Sequence, residues 1–217
     1  PASTVIKHQG SGPNTSRQNK PYAHSIRFSG QGELVWAADL GADRLFAYTL
    51  ARSAGLLIPA VQADAVLPAG SGPRHFEFTR DGKFCYVVNE LNSTVTVFAS
   101  DNGRLTEIQT ISALSENFSG VSYCADLHLS PDESLVYASN RGDNSIVVFS
   151  RESSGKLVRQ AYVSTEGNWP RNFAIVPGGK FLLVANQRSH NITVFKLEKG
   201  IPVFTGKELK TPAPVCI

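Results

Sequence analysis

Two short columns of residues recur along this chain and carry its ionisable groups. The first holds His24, Arg74, Asp126 and Asn172, with Arg171 one residue before the last. The second holds Asp39, Asn89, Asn140 and Asn186, followed in turn by Leu40, Glu90, Arg141 and Gln187. Imidazole and carboxylate groups exchange protons near neutral pH when their surroundings tune them. A guanidinium fork matches the oxygens of a carboxylate or phosphate. Charges of both signs at equivalent positions therefore predict a polar site fit for a small anion. Plainer readings stand beside this one. Asp39, Asn89, Asn140 and Asn186 have the simpler role of capping a turn through their own backbone. Arg74 and Glu90 could be an ion pair that only supports neighbouring units. His75 points to the opposite side of its strand from Arg74 and reads as a structural donor, while His128 and His190 are isolated.

The elements that must position these groups are repeats. HSIRFSGQGELVWAADLGADRLFAY, PRHFEFTRDGKFCYVVNELNSTVTVF, ADLHLSPDESLVYASNRGDNSIVVF and RNFAIVPGGKFLLVANQRSHNITVF share one pattern. Ile26, Phe76, Leu127 and Phe173 correspond, at spacings of 50, 51 and 46 residues. Within one copy, an alternating strand around Phe76 and Phe78 turns at Arg80-Asp81-Gly82-Lys83, with glycine where positive φ is needed. The apolar run Phe84 to Val88 then fits a strand buried on both faces. A period-2 strand at Val95 and Val97 and a more polar strand from Leu105 to Ser112 complete the unit. Repeats of this length, each a four-stranded antiparallel sheet, predict an all-β fold, a β-propeller whose sheets are its blades. The repeats cover about 24–67, 74–112, 125–164 and 171–210, within one domain spanning 1–217.

Residues 3–9 read as the outermost strand of a blade whose other strands are absent. Residues 10–23 form a polar loop leading to His24, and the first outer strand lies near Leu56–Leu67. Later strands are reached through GSGP at 70–73, the loop Ala113–Cys124 and Gly167 to Arg171. Four complete units and one orphan strand leave no vacancy for that strand to fill. The count predicts the C-terminal part of a larger ring, either lacking N-terminal blades or pairing with a second copy as a homodimer.

The 217 residues and 41% apolar content suit one sizeable core, and no apolar run approaches the roughly 20 residues of a membrane helix. A net charge of +3, with scattered lysines and arginines, argues against nucleic acid as a partner. No stretch has the basic start and apolar middle of a secretory leader. Cys85, Cys124 and Cys216 lack metal-ligand spacing, and Cys85 reads as a reduced core thiol; together these predict a cytoplasmic setting with no metal. The sequons at Asn14, Asn92, Asn117 and Asn191 read as chance. Trp36 belongs to the core, and Trp169 lies in a loop where it could line a pocket or cover an edge.

The strings GSGPRHFEFTRDGKFCYVVNELNSTVTVF, ADLHLSPDESLVYASNRGDNSIVVF, WPRNFAIVPGGKFLLVANQ and the terminal PVCI closely resemble the lactonase family of seven-bladed propellers. That family includes bacterial propeller-type 6-phosphogluconolactonases and the fungal 3-carboxy-cis,cis-muconate cyclase. The resemblance spans essentially the whole chain. It implies part of a seven-bladed ring and hydrolysis of a sugar-acid lactone, foremost 6-phospho-D-glucono-1,5-lactone to 6-phosphogluconate in the pentose phosphate pathway. No cofactor is implied. It carries over His24, Arg74, Glu90 and Arg141 as the catalytic set, in YAHS, GPRH, VNEL and SNRG. For such a reaction Glu90 or His24 would activate water, and Arg74 and Arg141 would hold the oxyanion or an anionic group. Arg17 and Arg171 are further candidates for a phosphate. Asn89, Asp126, Asn140 and Asn186 complete the expected substrate-binding set. The rivals are a cyclase-like lactonising enzyme, which needs a proton donor in place of the base, and a non-catalytic propeller that binds a protein or peptide.

Overall fold

The computed structural model describes residues 4–29 and 34–217. The chain separates into two compact units, Pro1–Asn92 with Thr96–Thr110, and Ser93–Val95 with Ile111–Ile217. The first sheet contains β1 (Ala23–Phe28), β2 (Leu34–Asp39), β3 (Arg44–Ala51), β4 (Leu56–Pro59) and the short β5 (Ala65–Val66). The second contains β6 (Pro73–Phe78), β7 (Phe84–Asn89), β8 (Thr94–Asp101) and β9 (Arg104–Ser112). A third sheet is built from β10 (Tyr123–Leu129), β11 (Leu135–Arg141), β12 (Ser145–Arg151) and β13 (Leu157–Ser164). The fourth comprises β14 (Pro170–Ile175), β15 (Phe181–Asn186), β16 (Asn191–Glu198) and β17 (Ile201–Lys210). The last three sheets keep the sequence order of their strands; the first runs β1-β2-β3-β4, with the short β5 also pairing β3. The repeats are therefore all-β, four-stranded and antiparallel as expected.

The uniform apolar runs explain why the sheets stack. Cys85, Tyr86, Val87 and Val88 are all buried, so β7 has no wet face. In the first unit Trp36, Leu45 and Ala47 meet Phe76, Cys85, Val87 and Phe98 in one core. In the second unit Tyr137, Ile146 and Val148 meet Phe173, Leu182, Val184 and Phe195. Each such large side chain stabilises by about 1.5–3 kcal/mol when removed from water. Burial also pushes the Cys85 thiol well above its ordinary range, which leaves it an inert core group. The turns follow the sequence signals closely. Gly82 sits at φ 71, while Thr79 Oγ1 donates to Asp81 at 2.7 Å and Ser130 Oγ to Asp132 at 2.6 Å.

Two expectations change. The outer strand read near Leu56–Leu67 is broken: β4 stops at Pro59, a turn of 3₁₀ helix covers Val61–Ala63, and pairing resumes at Ala65. Pro59 has no N–H with which to continue the ladder, and Asp64 accepts the Ala47 N–H at 2.8 Å in place of a strand carbonyl. The orphan strand read at 3–9 also differs. Residue 3 lies outside the described residues, and 4–9 join no ladder. Ile6 instead packs on Val35, Ala37 and Tyr48. His8 lies between Asp39 and Tyr48, with Nδ1 2.6 Å from the carboxylate and Nε2 2.6 Å from the phenol oxygen. Side-chain docking takes the place of strand pairing there.

Candidate active site

The site is set up by an irregularity at the start of each inner strand. In β1, Ala23 faces Asp39 and Ser25 faces Ala38, leaving His24 as an extra residue. In β6, Pro73 faces Asn89 and His75 faces Val88, leaving Arg74. In β14, Pro170 faces Asn186 and Asn172 faces Ala185, leaving Arg171. The ladder of β10 slips between Cys124 and Leu127. There the Asp126 N–H donates to Ser139 Oγ at 3.1 Å, which sets Asp126 opposite Ser139 and makes Ala125 the extra residue. Such β-bulges free one side chain from the alternation of the strand and re-aim it.

This register corrects the first column read from the sequence, which merged two. His24, Arg74, Ala125 and Arg171 are the bulged residues. Ser25, His75, Asp126 and Asn172 form the next column, and several of these join neighbouring sheets. Ser25 Oγ donates to the Arg74 carbonyl at 2.7 Å. The buried Asp126 carboxylate accepts from the Asn172 amide, from Phe173 N–H at 3.2 Å and from Leu127 N–H at 3.0 Å. His128 Nε2 lies 3.2 Å from the same carboxylate. Asp126, read as a substrate ligand, is thus occupied as a joint between strands.

In the first unit, three residues of the expected catalytic set converge with Arg17, which was expected to hold a phosphate. Glu90 is 1% exposed, and its carboxylate is paired with Arg17 through one oxygen. Arg74 Nε stands 3.1 Å from the other oxygen, and His24 Nε2 lies 4.0 Å from it. Arg74 also approaches His75, Nη1 to Nε2 at 3.2 Å. Burial first, and then the Arg74 charge, pull the His24 imidazole below its ordinary 6.5, against an opposing pull from Glu90. The local backbone holds this cluster in place. Glu90 N–H donates to Gly72 O at 2.7 Å and Leu91 N–H to Ser71 O at 3.0 Å, so the loop runs on as a ladder beyond the strand. Arg17 reaches Glu90 because its loop is folded around Gln18, which is fully buried and donates to Leu40 O at 2.8 Å. That loop passes so close to Gly41 that a Cβ there would sit 1.9 Å from the Lys20 carbonyl oxygen. Sequence reasoning missed Gln18, since a lone glutamine in a polar loop carries no pattern.

The second column does cap, but in two ways. Asp39 bonds its own turn, accepting Gly41 N–H and Ala42 N–H at 3.0 Å. Asn89, Asn140 and Asn186 instead donate to hydroxyls of the following strand: Thr96 at 2.9 Å, Ser145 at 3.1 Å and Thr193 at 3.1 Å. Asn140 also donates to Ala113 O and Asn186 to Thr165 O. All four are fully buried, and these bonds support the strand ends.

Arg141 belongs to the second unit and is 5% exposed. It donates from Nε to Tyr123 O at 3.3 Å and from Nη2 to Cys124 O at 2.9 Å. The Trp169 ring lies beside it, 5.6 Å from guanidinium carbon to ring centroid. Arg188, absent from the sequence reading, sits over the same ring at 3.4 Å. Trp169 corresponds to Gly72, Tyr123 and Tyr22 in the other repeats, the residue two before the bulged one. An aromatic at three of four such positions was the signal that could have marked it. Arg171 is half-buried and makes no ion pair among the described residues. No group of three or more His, Cys, Asp or Glu side chains is gathered for a metal among the described residues.

Repeated four-stranded sheets, each with a bulged inner strand and a polar loop end, are those of a β-propeller protein. All 217 residues match the family described as lactonase, 7-bladed β-propeller, and the chain belongs to that family. A 6-phosphogluconolactonase of Formosa agariphila is 40% identical over 96% of this chain and 59% of its own length. The 6-phosphogluconolactonase of Bacillus subtilis is 36% identical over 97% of this chain and 60% of its own. The periplasmic gluconolactonase of Pseudomonas aeruginosa superposes with a TM-score of 0.93 at 38% identity, over 99% of this chain and 61% of that one. The chain thus spans about three fifths of the curated relatives it matches.

Proposed function

We propose that this chain is part of a lactonase that hydrolyses a sugar-acid lactone, with 6-phospho-D-glucono-1,5-lactone as substrate and 6-phosphogluconate as product. The observation that carries the reading is the convergence of His24, Arg74 and Arg17 on the buried Glu90, in a chain of this family. Of the two candidate bases the geometry favours His24. Both Glu90 oxygens already have guanidinium partners, whereas His24 Nε2 is beyond hydrogen-bond reach of Glu90. Its lowered pKa keeps the ring neutral and able to accept a proton at pH 7. His24 takes the proton of a water whose oxygen attacks the lactone carbonyl carbon. The negative charge that develops on the carbonyl oxygen faces Arg74, a donor fixed in advance by Glu90. The bond to the ring oxygen then breaks, and the imidazolium returns the proton to that oxygen. Glu90 orients the two arginines. One propeller domain over 1–217, itself only part of a larger ring, and a cytoplasmic setting are further parts of this proposal; the described residues contain no helix long and apolar enough to cross a membrane.

The test is steady-state hydrolysis of 6-phosphogluconolactone by the full-length protein at fixed pH, with spontaneous hydrolysis subtracted. His24→Asn is expected to lower kcat by about 100-fold or more. Unchanged turnover in that variant removes His24 as the base, and no turnover in the unaltered protein overturns the reaction.

A further inference from the structure

In the second unit a cation is placed without a counter-charge. Arg188 follows β15, and its N–H donates to Asn168 O at 3.0 Å. Its guanidinium packs 3.4 Å from the centroid of the Trp169 ring and forms no ion pair among the described residues. Arg171, two residues beyond Trp169 on the bulge of β14, also has none. The ring that carries Arg188 is itself held firmly. The Trp169 backbone N–H donates to Asn144 Oδ1 at 2.8 Å, its carbonyl accepts Gln187 N–H at 3.0 Å, and Tyr123 meets the ring edge-on at 6.2 Å. Its backbone sits at φ 68, a conformation that bulky residues rarely adopt. Such strained positions persist where the surrounding structure over-determines them, and they cluster at ligand sites. Arg141 stands on the same ring, with two nitrogens committed to backbone carbonyls. The indole thus has two guanidinium groups beside it, and planar guanidinium groups match the oxygens of a phosphate.

We propose that Trp169, Arg188 and Arg141 form a binding site for a phosphate monoester on a small polar molecule. The indole orients the two guanidinium groups, Arg188 supplies the exposed charge and Arg141 the buried one. The phosphate is either that of the lactone substrate, in which case the inference rests on the reaction proposed above, or that of a separate phosphorylated ligand.

Tryptophan emission tests this directly, because the chain has two tryptophans and Trp36 is sealed in the core at 1% exposure. The full chain is titrated with inorganic phosphate and with 6-phosphogluconate at constant ionic strength, with gluconate as the control lacking phosphate. The expected result is a saturable change in emission with both phosphates, absent in Trp169→Phe. Arg188→Gln weakens the apparent affinity by about tenfold or more, and Arg188→Lys restores part of it. No saturable response, or the same affinity in Arg188→Gln, overturns the site and leaves the arginine stack as a structural cover. Kinetics separate the two sources. If Arg188→Gln raises KM for the phosphorylated lactone about tenfold more than for glucono-1,5-lactone, the phosphate is the substrate's. If that ratio is unchanged while phosphate still titrates, a separate ligand is assigned. Failure of the reaction itself appears differently, as absent lactone hydrolysis with the titration intact.

Discussion

The two units use one backbone frame for opposite electrostatic ends. In the first, the bulged Arg74 and the loop residue Arg17 close on the carboxylate of Glu90, which follows β7. In the second, the residue in Glu90's place is Arg141, and its guanidinium meets backbone carbonyls and an indole. The first arrangement brings its opposite charges together and needs the ion pair to exist. The second leaves Arg188 with no carboxylate partner among the described residues, which on the proposal above suits an anion brought by a ligand. Strand geometry alone does not decide which, since the bulge and the loop ladder recur in both units. The residue types dropped onto the frame decide it.

That contrast can be broken by mutation. Glu90→Ala has the largest expected effect on stability. It removes the buried carboxylate facing Arg74, whose side chain is only 6% exposed, and removing one partner of a buried pair costs about 3–5 kcal/mol. Urea unfolding monitored by circular dichroism should show that loss, and a change below about 1 kcal/mol would mean that water already solvates Arg74. Asp126→Asn comes next, at about 2 kcal/mol by the same measurement, because its carboxylate accepts several buried donors that an amide nitrogen cannot replace. The pH profile sharpens the first unit further. A base with a lowered pKa is active above that value, so the acid limb of kcat/KM should be centred below pH 6.5. The ratio should fall about tenfold per unit once the pH drops below the lowered His24 value. A limb centred above 6.5 would assign the proton to another group. Smallest of all, Arg188→Gln should leave the melting temperature where it was, since its exposed head holds no buried partner.

Much of this was legible in the sequence, and the failures have physical causes. The strands Leu157–Ser164 and Ile201–Lys210 fall where turn residues and hydrophobic runs place them. The outer strand of the first sheet was misread because Asp64 imitates a strand partner with its side chain, which composition does not reveal. Asp126 and Asn172 were put in the wrong column because a bulge adds a residue without adding any pattern. Glu90, Arg74 and His24 do meet, as their positions in the repeat predicted, yet the partner of Arg17 is Glu90. Arg188 and Trp169 went unpaired in the sequence because a stack between two loops, nineteen positions apart, has no periodicity to follow.

The slipped residue at the head of each inner strand has one more consequence. Belonging to neither side of the pleat, it escapes the strand's in-and-out alternation even where, as at Arg74 and Ala125, it is buried. Imidazole, guanidinium or a bare methyl group can stand in that socket while the β-sheet around it is untouched. New chemistry can therefore be tried there one repeat at a time, without shifting the register of the strand that carries it.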